Sequence, residues 1–99
     1  MSYYNRQGQP ISLQEWAGAL EKRLENRIVA QTILKNGRWV STVWLGLDHS
    51  FGGGPPLIFE TMVFPNENDR GELDCERYST EQEALAGHEA MMAKWAEAK

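Results

Sequence analysis

Chemistry in this chain, if there is any, has few side chains to draw on. It has two histidines, His49 and His88, and one cysteine, Cys75. His49 follows Asp48 directly after an apolar run. Glu60 is the one charge inside a second run, LIFETMVF. Ionisable groups in such surroundings are paired, placed at a strand end, or functional. Asp48 and His49 read as a ligand or catalytic pair at a rigid strand end, or Asp48 as a turn residue bonding the loop backbone. Glu60 reads as a partner for Arg38 or Arg77, as a residue of a solvated sheet face, or as a catalytic acid. His88 falls at the centre of a helical apolar stripe. It is either a core histidine or an acid–base group poised against Glu60 or Asp48. Cys75 lies between Asp74 and Glu76, whose charges are expected to raise its pKa. It reads as a small buried apolar residue.

Metal and nucleophile signatures are weak. Zinc needs three or four ligands, and no short-range ligand spacing occurs, so no metal and no cofactor is expected. Ser50 beside His49 has no GxSxG elbow around it. The glycines of FGGGPP lack the Lys-Ser/Thr that opens a helix in a phosphate loop. That segment reads better as a recognition loop with Phe51 as its anchor. The expected binding set is Asp48, His49, Phe51, Gly52, Gly53 and Gly54 with Trp44; His49, Glu60 and His88 are the catalytic candidates.

The elements that must position these residues are legible. Residues 1–10 read as an extended arm, pinned in part by Tyr3 and Tyr4. Ser12 with Glu15 forms a capping box, and Ile11 and Trp16 occupy staple positions. Leu13, Trp16, Ala17, Leu20 and Leu24 then keep helical spacing, predicting a helix over 13–24. Residues 27–34 form a β-branched strand, and Asn36-Gly37 signals a hairpin. The strand over 38–47 is apolar on both faces. Val40, Thr42 and Trp44 share one; Trp39, Val43, Leu45 and Leu47 share the other. Such a strand is central and covered on both sides, the second face by the N-terminal arm or by another copy of the chain. Residues 48–56 form a loop and 57–64 a third strand. A turn spans 66–71. A charged edge strand spans 72–78, with Leu73 and Cys75 inward. Thr80 with Glu83 caps a helix over 81–97 whose stripe is Ala84, Leu85, Met91, Met92 and Trp95. Gly87 is expected to admit close approach of another segment. Together these predict one α+β domain: an antiparallel meander of three or four strands, the C-terminal helix on one face, and the N-terminal helix at the edge or on the same face.

Composition narrows the partners. Ninety-nine residues make a single domain, and a net charge of −4 argues against nucleic acid. A lone cysteine excludes an internal disulfide. With no signal core and no membrane-length apolar run, a cytosolic protein with no membrane partner is expected.

The blocks LGLDH, GGGPPLIFETMVF and RYSTEQEALAGH, in that order, resemble a family of small bacteriophage and prophage proteins without an assigned activity. The resemblance covers residues 39–89, and GQPISLQEWA near the start is similar too. It implies an origin and a place of work, the bacterial cytoplasm, but no catalytic residues. The leading expectation is a phage accessory protein that binds a bacterial protein, a counter-defence inhibitor being one concrete form, with a homodimer also open. The alternatives are a small enzyme or ligand-sequestering pocket built on Asp48, His49, Glu60 and His88, and a minor virion or assembly component.

Overall fold

The computed structural model describes residues 2–22, 27–48 and 54–96. Two short strands, β1 (Tyr3–Tyr4) and β2 (Pro10–Ile11), precede helix α1 (Leu13–Lys22). Strands β3 (Ile28–Ile33), β4 (Trp39–Trp44), β5 (Phe59–Phe64) and β6 (Asp74–Tyr78) follow, and helix α2 (Glu81–Ala96) ends the order. The four longer strands form an antiparallel sheet in chain order, with β4 and β5 central and the charged β6 at one edge. The chain is α+β, as its pattern predicts.

Both helices start where their boxes place them. Ser12 Oγ accepts from Glu15 N–H, and Glu15 Oε1 accepts from Ser12 N–H, each at 3.1 Å. Thr80 and Glu83 repeat the exchange at 3.1 and 3.2 Å. The predicted ends of helix one and of the C-terminal helix, residues 23–24 and 97, lie outside the described residues.

Helix α2 packs on one face of the sheet, and side chains from three elements meet there in tiers. Trp44 of β4, Phe59 of β5 and Ala84 of α2 form one buried apolar cluster, with Ile58. Val40, Val63 and Met91, from the same three elements, form another. Between them stand Thr42, Thr61 and His88, each buried. Strand alternation by two and helical steps of three and four generate this register.

The structure corrects four expectations. The N-terminal arm is pinned at Tyr3 and Tyr4, as read, but on the other side of the sheet from the one it was expected to cover: Tyr3 pairs with Ile11 and Tyr4 with Pro10. This small ladder joins the helix-covered face, where Tyr4 and Ile11 pack on the Trp44 cluster and the Trp44 indole N–H donates to the Tyr4 carbonyl at 3.1 Å. It therefore does not cover the second face. Leu73 is exposed, not inward, because β6 begins one residue later. Leu85, counted in the α2 stripe, is 44% exposed. Cys75 is half-buried, with its thiol pushed up to about 11 by burial first and by the Glu60 charge second. Its sequence neighbours Asp74 and Glu76 are not the cause expected of them.

Candidate functional site

His88 faces the sheet, as its place in the stripe predicts, and is 3% exposed. Its Nδ1 lies 2.7 Å from Thr42 Oγ1 and its Nε2 lies 3.0 Å from Thr32 Oγ1. Thr42 Oγ1 in turn lies 2.6 Å from Thr61 Oγ1. Burial holds the imidazole below its ordinary pKa. Both ring nitrogens are satisfied by threonine hydroxyls, as buried polar groups require. This is a polar tier between two apolar ones, buried at His88, Thr42 and Thr61 and half-buried at Thr32.

Glu60 sits on the opposite face of the sheet. It alternates with Thr61, whose hydroxyl belongs to the His88 tier, so the two carry their side chains to opposite sides. The Arg77 guanidinium Nε donates to Glu60 Oε2 at 2.9 Å, which is the pairing the sequence suggested. The enzyme constellation expected from Glu60 and His88 is therefore not assembled: the sheet lies between them. Asp48 takes its turn role, its Oδ1 accepting from the Leu57 N–H at 3.0 Å across the loop. Trp44 is 2% exposed and belongs to the core, which removes it from the expected binding surface. Gly54 is exposed with φ of 87°. His49, Phe51, Gly52 and Gly53 lie outside the described residues. Among the described residues no three His, Cys, Asp or Glu come together as a metal site, and no helix is long and apolar enough to cross a membrane.

What the sheet does present is its second face. Trp39 and Val43 alternate there along β4, Leu45 continues the set just past its end, and Met62 and Phe64 alternate along β5. With Ile28 they line a groove of about 560 Å³. Among the described residues no helix or strand lies over it; α2 and the N-terminal ladder are both on the far side. Polar groups punctuate the apolar floor. Gln31 Nε2 donates to Ser41 Oγ at 3.4 Å. Arg70, from the β5–β6 turn, lies 4.7 Å from the Trp39 ring centroid and 5.7 Å from that of Phe64. Arg27 lines the end of the groove by Leu45, and its Nε is enclosed with no hydrogen-bond partner. Sequence reasoning identified the alternating apolar set but missed Arg27, Arg70 and Met62. The signal available for Arg27 was its position just before a strand whose first residue, Ile28, pairs with Val43.

No protein-family model, curated protein or solved structure matches the chain.

Proposed function

We propose that this protein acts by binding another protein through the open face of its sheet. We place it as an accessory protein made by a bacteriophage or prophage and directed at a protein of its bacterial host, a counter-defence inhibitor being one form of that role. The observation that carries the reading is the face of β4 and β5 that no described element covers, where large apolar side chains line a groove. A central strand that is apolar on both sides is ordinarily covered on both. Half-buried apolar side chains lining one concave surface suit a binding site, and aromatic anchors with arginine beside them are the groups that dominate protein–protein contacts. The competing catalytic reading loses its best pair, because Glu60 and His88 stand on opposite sides of the sheet.

The test is capture of host protein from bacterial lysate by the tagged chain and by two variants. Val43→Lys with Met62→Lys places charge on the open face. Leu85→Lys places it on the exposed flank of α2. The expected result is one partner retained by the wild type and by Leu85→Lys and weakened at least about tenfold in the face variant. Denaturation midpoints of all three are expected to agree. Capture that ignores the face variant sinks the proposal. So does capture lost only because that variant unfolds, with Val43→Thr and Met62→Gln together leaving it intact.

A further inference from the structure

The two ends of the groove carry like charge, and that constrains what lies in it. Arg27 lines one end, beside Leu45; Arg70 covers the other, over Trp39. Trp39 and Leu45 are six positions apart on an extended chain, so the ends are separated by on the order of 20 Å. Among the described residues neither arginine is paired with a carboxylate. The one carboxylate in the groove wall, Glu60, is already held by Arg77. The wall is thus locally cationic in a chain whose net charge is −4. Arg27 adds a sharper constraint. Among the described residues its enclosed Nε has no acceptor, and the half-buried guanidinium lines the groove without a counter-charge, a costly arrangement for a cation. Between the two cations the floor is apolar, set by Val43 and Met62.

We infer that the groove takes an extended segment of the partner protein that bears an acidic side chain toward each end and apolar side chains between. A compact anion could meet one arginine but not both. An uncharged strand would leave both cations without a counter-charge. The carboxylates would dock as charge-assisted hydrogen bonds, which are short and directional. The inference rests on the open-face reading of the preceding section and specifies the chemistry of its partner.

The test is panning of a displayed library of random twelve-residue peptides on the full chain and on Arg27→Gln, Arg70→Gln and the Val43→Lys, Met62→Lys variant. Enriched peptides are expected to share two Asp or Glu residues flanking an apolar stretch. Their retention is expected to fall about tenfold on each arginine variant and to vanish on the face variant. Enriched peptides without the paired acids overturn the inference, as does equal retention on the arginine variants. No enrichment above the face variant also overturns it. In each case the open-face reading survives if lysate capture still depends on Val43 and Met62. A dimer in sedimentation equilibrium that Val43→Lys abolishes identifies the occupant as a second copy and likewise overturns it. Should Arg27→Gln fail to fold, Arg70→Gln, on an exposed turn, carries the same comparison.

Discussion

Two glycines show how far a single side chain can decide this structure. A Cβ at Gly87, on α2, would overlap the Tyr78 phenol, so the helix reaches the sheet at that level only because the position is bare. A Cβ at Gly18, in the interior of α1, would meet nothing within 4 Å. The same substitution should therefore act in opposite directions. Gly87→Ala is expected to cost about 1–3 kcal/mol by overpacking. Gly18→Ala is expected to raise stability by about 1 kcal/mol through helix propensity. Urea denaturation of the two variants checks the pair. The approach of another segment to Gly87 was expected from its place beside His88 on the sheet-facing side of the helix, whereas Gly18 carried no such sign. Which residue approaches was not, because Tyr78 and Gly87 meet through tertiary contact and not through any local spacing. The same holds for Glu60: its need for a cation could be read from its apolar surroundings, but Arg77 is chosen over Arg38 by the β5–β6 register, which pairs Glu60 directly with Arg77.

Among the elements, the β3–β4 turn does more than reverse the chain. Asn36 Nδ2 donates to the carbonyls of Trp95 and Ala96 at 2.9 and 3.1 Å, and Arg38 Nη1 donates to Trp95 O at 2.9 Å. A hairpin turn thus closes the C-terminus of a helix far along the chain, where orphan carbonyls need donors. Asn-Gly was recognisable as a turn signal; its second role was not, because it exists only once α2 lies across the sheet. Asn36→Asp separates the two roles. Asp-Gly suits the same turn, and Asp keeps an oxygen that can accept from the Arg38 N–H as Asn36 Oδ1 does. It cannot donate to the helix, and it adds negative charge at the helix C-terminus. A loss of about 1–2 kcal/mol is expected in a thermal or urea melt, with the β-hairpin amide shifts unchanged by NMR. The tiers beneath α2 belong to the same scale. Val40-Thr42-Trp44, Phe59-Thr61-Val63 and Ala84-His88-Met91 each place one polar residue between two apolar ones. A helix shifted by one turn would leave His88 against apolar side chains and strip Thr32 and Thr42 of their bonds to its ring, so the polar tier fixes the register of helix on sheet. The spacing was present in the sequence; its meaning needed the strand order.

For the whole molecule, the buried imidazole ties stability to pH. Burial lowers the folded pKa of His88 below its ordinary 6.5. Below pH 6.5 the unfolded chain therefore takes up a proton that the folded chain resists. Stability is full above that value and falls as the pH drops from it toward the lowered folded pKa. Asp74, held low first by its hydrogen bond from Lys94, acts in a separate window: its contribution is present above 3.8 and is lost as the pH falls further. The urea midpoint of the wild type should decline from just below neutrality, whereas His88→Gln should stay level until the carboxylate range. A variant profile that tracks the wild type between pH 7 and 5 would remove His88 as the cause. The architecture itself was readable in advance because periodicity and caps are local. The uncovered face was harder to foresee, since both faces of β4 look like core until one knows where the helix and the N-terminal ladder go. That division of the strands has an evolutionary corollary. Odd and even positions along β4 and β5 would then answer to different pressures, one set to folding and the other, on the proposed reading, to the partner. If the open face binds as proposed, Trp39 and Val43 on β4 are free to follow a changing target one at a time, and the helix-covered positions Val40, Thr42 and Trp44 need not register the change.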